Sequence, residues 1–127
     1  MAKYITEINK QGNIAVDDTI LVKDYPATAG SKMLENFVPL FSAEAVEKVV
    51  AAGYTLSGKT AVGEFGLDLY GETSKDDICA AASLVKEGNV KAALNVDLNG
   101  APRRAAALEG VTFVKPTYGT VSRYGII

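Results

Sequence analysis

Short apolar runs alternate with helix-like segments along this chain. Three segments have a helix-like pattern: residues 42–53, 77–88 and 102–109. In the first of them, Val46, Val49 and Val50 recur at a spacing that puts their side chains on one helix face. Strands that alternate with helices are typical of parallel sheets, because each helix carries the chain back to the start of the next strand. The order therefore predicts an α/β fold with a mostly parallel, mixed sheet and flanking helices.

The predicted strands are short and lie before, between and after these helices. They cover residues 3–8, 13–16, 19–24, 54–62, 90–96 and 111–116. Ser42 and Asp77 are expected to cap the first two helices through their side-chain oxygens, and Gly53 and Gly88 are expected to end them. Residues 25–32 are rich in proline, glycine and small side chains, so they are predicted to form a loop.

The size and charge of the chain limit the classes of protein to which it can belong. With 127 residues it is expected to form a single domain over residues 1–127. It has 13 basic and 15 acidic residues and a net charge of −2, which argues against nucleic acid or an anionic membrane as its main partner. No apolar run is long enough to span a bilayer, and the first residues lack the apolar region of a signal peptide. We therefore expect a cytoplasmic protein.

Histidine is absent from the sequence, and Cys79 is its only cysteine. A disulfide within the chain is therefore excluded, and neither a zinc site nor a Ser-His-Asp triad is expected. We expect no metal and no cofactor, so any catalysis would depend on lysine, carboxylate, serine, tyrosine or Cys79. Cys79 is interpreted as a small buried side chain, with the alternative that a nearby helix N-terminus makes it a nucleophile.

Residues 53–60 match the phosphate-loop pattern G-x-x-x-x-G-K-[ST] in full. Such a loop needs a strand before its first glycine and a helix after its lysine, because backbone N–H groups at the helix N-terminus bind the phosphate. Here a predicted helix precedes the first glycine, and a predicted strand contains the lysine. We interpret the match as accidental.

Two short regions could carry a site. Residues 95–104 lead from a predicted strand through an Asn-Gly turn to a predicted helix start at Pro102, an arrangement that often holds a nucleophile or an anion. Arg103 and Arg104 could bind an anion there, although two arginines on a surface helix are usually solvated. Lys23 follows an apolar run, and it is either a solvated strand end or a base at the carboxyl edge of a parallel sheet.

Several longer stretches resemble one family of hydrolases. The most specific is residues 114–125, VKPTYGTVSRYG, and residues 28–53 and 56–66 contribute further matches. On these stretches the chain resembles the amidase-signature family over about residues 18–125, with an apparent deletion after Asp24. The resemblance is greatest to the N-terminal core of the A subunits of glutamyl/aspartyl-tRNA amidotransferases, whose chains are several times longer. It implies a reduced amidase-signature core.

The resemblance also implies which positions carry the chemistry in related enzymes. Members of the family use a lysine base, a relay serine and a serine nucleophile for acyl transfer. The resemblance assigns the lysine to Lys23, the relay position to Ala81 and the nucleophile position to Ala101. Alanine has no nucleophilic atom, so covalent acyl transfer is not expected of this chain. The family residues retained around the nucleophile position are Asp97, Gly100 and Arg103.

The main functional hypothesis is a catalytically degenerate amidase-like domain that acts as a binding or interaction module. A reduced sheet leaves an exposed edge and apolar surface, so self-association or a protein partner is expected, with the apolar residues 124–127 as one contact. A small-molecule ligand is a further expectation. The residues predicted to contact such a ligand are Lys23, Asp97, Gly100, Arg103 and Tyr118.

Two alternatives stay open. The first is an enzyme of altered chemistry, related to hydrolases or amidotransferases, that uses Lys23 as its base. The further groups available to such an enzyme are Asp97, Arg103, Tyr118 and Cys79. The second is an accessory of a tRNA-amidating complex, which follows from the family resemblance alone. The slightly negative net charge argues against direct binding of tRNA.

Overall fold

The computed structural model describes residues 4–67 and 75–127, and for residues 75–79 it describes the backbone only. Four short strands and three helices follow one another along these parts of the chain. The strands are β1 (Tyr4–Glu7), β2 (Ile14–Asp17), β3 (Leu56–Thr60) and β4 (Ala92–Leu94). The helices are α1 (Glu44–Ala51), α2 (Lys75–Lys86) and α3 (Ala101–Glu109), and short 3-10 turns occupy Lys32–Leu34 and Glu64–Gly66.

The four strands form one mixed sheet in the order β1-β3-β2-β4. β2 pairs in parallel with β3 on one side and with β4 on the other, whereas β1 is antiparallel to β3. The predicted α/β fold, a mostly parallel mixed sheet with flanking helices, is confirmed. β2 is buried at every position, as expected of a central strand that is covered on both faces.

Successive residues of β2 contact opposite faces of the sheet. Ile14 and Val16 pack in a core that includes Val46 of α1, while Ala15 packs against Leu84 of α2. α3 covers the same face as α2 through a contact between small side chains. The alanines in this contact are Ala81, Ala82, Ala105 and Ala106. The sheet therefore lies between α1 on one face and the pair of α2 and α3 on the other.

The helices begin differently from the sequence prediction. α1 begins at Glu44, and Ser42 does not cap it, because Ser42 Oγ accepts a hydrogen bond from the Lys23 backbone N–H at 2.9 Å. The Glu44 backbone N–H donates instead to the carbonyl oxygen of Tyr124 at 3.1 Å. α2 begins before Asp77, which therefore lies inside its first turn and not at the predicted cap. None of the helices in residues 4–67 and 75–127 combines the length and apolar character that crossing a membrane requires.

The predicted strand at residues 19–24 is wrong. β2 ends at Asp17, and the chain then turns, with the Ile20 backbone N–H donating to the Asp17 carbonyl oxygen at 3.2 Å. Within this stretch, Ile20 makes one isolated antiparallel bridge to Ile126. The apolar side chains of the stretch, Ile20, Leu21 and Val22, are all buried. The apolar pattern that predicted a strand therefore belongs to a turn whose side chains are buried beneath the C-terminal segment.

The predicted strand at residues 111–116 is also not among the strands of the described chain. The Val111 backbone N–H still belongs to the end of α3, since it donates to the Ala106 carbonyl oxygen at 2.9 Å. Further along, Val114 is 77% exposed. The alternating apolar residues that predicted a strand therefore lie in a segment that pairs with no strand of the described chain.

Candidate functional site

Four parts of the chain meet around a small cavity at the carboxyl ends of the parallel strands β2, β3 and β4. This central cavity has a volume of about 20 Å³, close to the space that one water occupies. The end of β2 contributes Asp17 and Thr19, the residues after β4 contribute Asn95 and Val96, and the start of α3 contributes Ala101. The lining is completed by Val62, Gly63, Gly66 and Pro102. Because α/β folds place their sites at the carboxyl ends of parallel strands, this is the first place to look for chemistry.

The turn and helix start predicted within residues 95–104 are confirmed. Gly100 adopts a left-handed backbone conformation with φ of +93°, which glycine tolerates without steric cost. The Gly100 N–H donates to Asp97 Oδ1 at 2.8 Å, and the Ala101 N–H donates to Asn99 Oδ1 at 3.3 Å. α3 starts at Ala101, and this residue is 3% exposed. The side chain that reaches the central cavity from α3 is therefore a buried methyl group.

Asp17 is the only ionisable residue among those that line the central cavity. Its Oδ1 accepts hydrogen bonds from the Thr19 N–H at 2.9 Å and the Thr19 hydroxyl at 2.5 Å, and its Oδ2 accepts one from the Val96 N–H at 2.6 Å. Burial raises the pKa of Asp17 despite these bonds, and the neighbouring Asp18 adds to the effect. Both oxygens are thus engaged by the protein itself, and Asp17 links the end of β2 to the residues after β4.

A buried ion pair involves the residue next to Asp17. Lys59 of β3 places its Nζ 3.0 Å from Asp18 Oδ1, and both side chains are fully buried. Lys59 Nζ also donates to the Pro26 carbonyl oxygen at 2.8 Å, while Thr28 donates to Asp18 Oδ2 through its N–H and its hydroxyl. Burial lowers the pKa of Lys59, although Asp18 opposes that effect. Lys59 is the lysine of the phosphate-loop pattern, and its burial within a strand supports the interpretation of that match as accidental.

Lys23 lies outside the central cavity. β2 ends at Asp17, and Lys23 is found in an exposed turn further along the chain. It is not among the residues that line this cavity together with Ala101. The two positions that the resemblance assigns to base and nucleophile, Lys23 and Ala101, are therefore not brought together in this cavity.

Ala81 is also separated from Ala101. It is buried in the contact between α2 and α3, and it lines a different cavity of about 140 Å³ between these helices and β4. Cys79 belongs to α2, but its side chain lies outside the described residues. A nucleophilic role of Cys79 therefore stays a prediction.

Asp97 pairs with one charged residue that was predicted to lie at its site, Arg103, and with one that was not, Lys115. Its carboxylate is 3% exposed and accepts from Arg103 Nε at 2.8 Å and from Lys115 Nζ at 3.1 Å. Lys115 Nζ also donates to the Asp97 carbonyl oxygen at 2.7 Å. Burial by itself would raise the pKa of Asp97, but the hydrogen bonds from Lys115, Arg103 and the Gly100 N–H outweigh it and lower the pKa. The cluster ties the turn before α3 to the segment after it.

Tyr118 lies at a wider groove beside the central cavity. This groove has a volume of about 370 Å³, within the range of small-molecule sites, and it shares Asn95 and Val96 with the central cavity. The guanidinium carbon of Arg123 lies 4.5 Å from the centroid of the Tyr118 ring, a cation–π contact. Asp97 and Tyr118 both line the groove, whereas Lys23 does not.

Two residues at the site were missed by reasoning from the sequence. Lys115 lies within the stretch 114–125 that carried the family resemblance, but only the fold brings it to Asp97. Asp17 was missed because the apolar run after it was predicted to be a further strand, with Lys23 near its end. Its signal was the pair of acids directly after the apolar run 14–16. In the described parts of the chain, no three His, Cys, Asp or Glu side chains are grouped as a metal ion would require.

Comparisons with known proteins identify a consistent set of relatives. Residues 13–75 match the family model described as Amidase. The A subunit of the glutamyl-tRNA(Gln) amidotransferase of Solidesulfovibrio magneticus is 40% identical over 129 residues, which cover 90% of this chain and 26% of that protein. The A subunit of the Halobacterium salinarum enzyme is 38% identical over 148 residues, covering 98% of this chain and 35% of that protein.

Solved structures with the same fold come from similar proteins. The A subunit of the glutamyl-tRNA(Gln) amidotransferase of Thermotoga maritima superposes with a TM-score of 0.78 at 32% identity, covering 95% of this chain and 31% of that one. The peptide amidase of Stenotrophomonas maltophilia superposes with a TM-score of 0.79 at 26% identity, covering 91% of this chain and 28% of that one. The chain therefore spans between a quarter and about a third of the length of these proteins.

Proposed function

Since this chain belongs to the amidase family, we propose that it is a catalytically inactive amidase-like module that acts by binding protein chains, further copies of itself among them. The single observation that carries this proposal is the composition of the central cavity. The nucleophile position is the buried methyl group of Ala101, and the cavity around it has a volume of about 20 Å³. An acyl substrate needs both an attacking atom and room beside it, and this cavity offers neither.

The position of the family's base supports the same conclusion. The resemblance places a lysine followed by an aspartate at the end of an apolar strand. The strand end that reaches Ala101 is that of β2, which is followed by Asp18 and which has Asp17 at the place of the lysine. In our proposal, Asp17 and not Lys23 therefore occupies the position of the family's lysine base. A carboxylate whose two oxygens accept three hydrogen bonds from the protein cannot replace a free lysine amine as the base.

Apolar surface supports a role in binding. The segment before α1 exposes an unusual number of large apolar side chains, and Phe41 stacks on Tyr124 with ring centroids 5.2 Å apart. We call this surface the aromatic patch; its members are Met33, Phe37, Val38, Leu40, Phe41 and Tyr124. Met33 and Leu40 are each 86% exposed. Clustered apolar side chains that are exposed to water favour protein contact, because burying them removes them from water.

A hydrolysis assay tests the catalytic half of the proposal. The purified chain and the variant Lys23→Ala would be incubated with a panel of amides, esters and glutamine. We expect no turnover above the uncatalysed rate for either protein, since neither has a nucleophile at position 101. Turnover by the wild type that disappears in Lys23→Ala would instead favour the enzyme of altered chemistry.

Light scattering after size exclusion tests the binding half. We expect the wild type to have a mass above that of one 13.4 kDa chain, with the share of larger species rising with concentration. Leu40→Glu places a charge in the aromatic patch and is expected to shift the protein toward the monomer. Leu108→Glu changes a residue on α3 that is 69% exposed and outside the patch, so this control should associate like the wild type. Equal association of both variants would contradict a role of the patch.

A role as an accessory of a tRNA-amidating complex is a second candidate, and the amidotransferase relatives favour it. This second candidate function includes a cytoplasmic location of the protein. The net charge of −2 makes another protein of the complex a better partner than tRNA itself. A gel shift with tRNA at increasing salt tests this distinction, and we expect no salt-sensitive shift.

A further inference from the structure

An apolar cavity on the face of α1 and the wider groove at Tyr118 join into one depression. The cavity lies between β4 and the segment after α3, and it has a volume of about 260 Å³. The wider groove, of about 370 Å³, shares five of its lining residues with this cavity. The shared residues are Asn95, Val96, Pro116, Val121 and Ile126. We call the two together the extended groove. Ala101 lines neither part, so the extended groove is separate from the position of the family's nucleophile.

The end of the extended groove beside β4 is apolar. Ile20, Leu94 and Phe113 line it together with the shared valines, and none of the described residues around this end is acidic or basic. A water takes up about 30 Å³ in the liquid and a methylene group is of similar size, so about 260 Å³ holds an alkyl chain of about eight carbons. Burying such a chain removes it from water, which favours binding.

The other end of the extended groove is positively charged. Lys115 and Arg123 line it, and Asp97 is the one carboxylate among the described residues of its lining. Asp97 is bonded to Lys115 and also to Arg103, so three cations and one anion lie at this end. Three positive charges against one negative charge leave an excess of two. Such an end attracts a negatively charged group of a ligand.

One further carboxylate lies beside the charged end. Glu44 of α1 accepts a hydrogen bond from the side chain of Ser122, which lines the groove. Lys48 pairs with Glu44 at 2.8 Å and balances its charge. The excess of positive charge at this end is therefore not cancelled by α1.

Both cations that line the charged end keep N–H groups for a ligand. The ammonium group of Lys115 has three N–H groups and bonds to two oxygens of Asp97, at 2.7 and 3.1 Å, so one N–H stays available. The Arg123 guanidinium carbon lies 4.5 Å from the centroid of the Tyr118 ring, and this group donates no hydrogen bond to the described residues. A planar guanidinium of this kind can donate two parallel hydrogen bonds to one carboxylate.

We propose that the extended groove binds a small amphiphilic anion, an alkyl monocarboxylate of medium length. Its chain lies in the apolar end, and its carboxylate accepts hydrogen bonds from Lys115 and Arg123. A ligand without a charge would cover these cations and leave their N–H groups without an acceptor, which is costly. A short anion such as acetate would leave the apolar end unfilled. The site adds a small-molecule ligand to the binding of protein chains in the proposed function, and it does not depend on that binding.

Titration calorimetry with octanoate, kept below the concentration at which it forms micelles, tests the proposal. We expect saturable binding of one octanoate per chain, with an affinity about 15-fold above that of hexanoate, because each buried methylene group contributes about fourfold. Octanol, which has the same chain and no charge, should bind at least about tenfold more weakly than octanoate. In NMR spectra, octanoate should shift the methyl signals of Leu94, Val121 and Ile126, and it should leave that of Leu40 in the aromatic patch unchanged.

Two pairs of variants make the test specific to the extended groove. Arg123→Gln removes an exposed cation of the lining and should weaken octanoate binding at least about tenfold. Arg104→Gln makes the same change of charge at an exposed residue that lines neither part, so it should bind like the wild type. Val121→Asn places an amide at a residue that both parts share and that is 51% exposed, so folding should be unaffected while binding is weakened. Leu108→Asn is its control on α3.

The outcomes separate this proposal from the proposed function. Absence of saturable binding, or binding of octanol as tight as that of octanoate, overturns the ligand site. Equal binding by Arg123→Gln and Arg104→Gln, or NMR shifts confined to the aromatic patch, overturns it as well. Association through the aromatic patch is measured without octanoate, so failure of the ligand site leaves that test unaffected. A strictly monomeric chain that binds octanoate as expected would support the ligand site and contradict only the self-association of the proposed function.

Discussion

Lys59 Nζ lies 3.0 Å from Asp18 Oδ1, and neither side chain is accessible to water. The pair joins the central strand β3 to the turn that follows β2. Both partners have further bonds, since Lys59 donates to the Pro26 carbonyl oxygen and Asp18 accepts from Thr28. Burying two charges is costly, so the pair is stable only because each charge is met by the other and by these hydrogen bonds.

Asp18→Ala is expected to lower the free energy of unfolding by about 3–5 kcal/mol, because it leaves the ammonium group of Lys59 buried without its counter-charge. Urea unfolding followed by circular dichroism measures this loss. The double variant Asp18→Leu/Lys59→Met removes both charges and should lose much less than the sum of the two single changes. Lys48→Ala is the control, since Lys48 forms an exposed ion pair with Glu44 and should cost less than about 1 kcal/mol. A loss in Asp18→Ala as small as that in Lys48→Ala would contradict the stabilising role of the buried pair.

Asp97→Asn is expected to change how stability depends on pH. Hydrogen bonds from Lys115 and Arg103 lower the pKa of Asp97 below its ordinary value of 3.8, so the folded state favours the charged carboxylate. This stabilisation is present above pH 3.8 and is lost as the pH falls below 3.8 through the folded-state pKa. At pH 7 the variant should be less stable by about 1–2 kcal/mol, a value reduced by the exposure of both cations.

Urea unfolding at several pH values checks this prediction. The difference between wild type and Asp97→Asn should shrink as the pH falls below 3.8. Asp24→Asn changes an exposed carboxylate in a turn and should follow the wild type throughout. A difference that stays constant from pH 7 to the acid range would show that the variant acts through packing and not through charge.

The fold was predictable from the sequence where local pattern and packing agree. The apolar face of α1 could be predicted for Val46 and Val49, because their spacing matches one helix face, whereas Val50, predicted on the same face, is 51% exposed. The turn from Ile20 to Val22 could not be predicted, since its apolar pattern reflects burial and not a strand conformation. That burial depends on Ile126, more than a hundred positions away in the chain. A local pattern indicates that side chains are buried but does not indicate which element buries them.

The candidate site was predictable in part for the same reason. The turn from Asp97 to Ala101 follows from an Asn-Gly pair and a proline at a helix start, which are local signals. The partner of that turn in the central cavity is the end of β2, whose position was predicted to within one residue. The buried run at residues 19–24 was predicted to be a further strand, however, and its end directed attention to Lys23 and away from Asp17.

Ala101→Ser is expected to create no hydrolase activity. The new hydroxyl would enter a cavity of about 20 Å³ whose one ionisable lining residue, Asp17, already accepts three hydrogen bonds. Without a free base, a serine hydroxyl is a weak nucleophile. Incubation with amides, esters and glutamine, followed by product detection, checks this. The double variant Asp17→Lys/Ala101→Ser tests whether a lysine base restores activity. Hydrolysis by Ala101→Ser itself would contradict the conclusion that this cavity lacks a base able to activate a serine.

Gly125→Ala is expected to lower the free energy of unfolding by more than about 3 kcal/mol. Gly125 has φ of +83°, and a Cβ there would lie 2.5 Å from the Ala43 Cα, so backbone conformation and close approach both require glycine. The Gly125 carbonyl oxygen accepts from the Leu21 N–H at 2.9 Å, and the Tyr124 carbonyl oxygen accepts from the Glu44 N–H at 3.1 Å, so the C-terminal segment is bonded both to the turn after β2 and to the start of α1. Gly119→Ala is a matched control, because Gly119 has φ of +87° but nothing within 4 Å of a Cβ.

The control should cost about 1–2 kcal/mol, the conformational term alone. The difference between the two variants therefore measures the clash with α1, and thermal unfolding of both proteins reports it. Chemical shifts of Leu21 and Glu44, whose N–H groups donate to the C-terminal segment, should change in Gly125→Ala and not in Gly119→Ala. Equal losses of stability in the two variants would mean that this segment is not packed against α1 in solution.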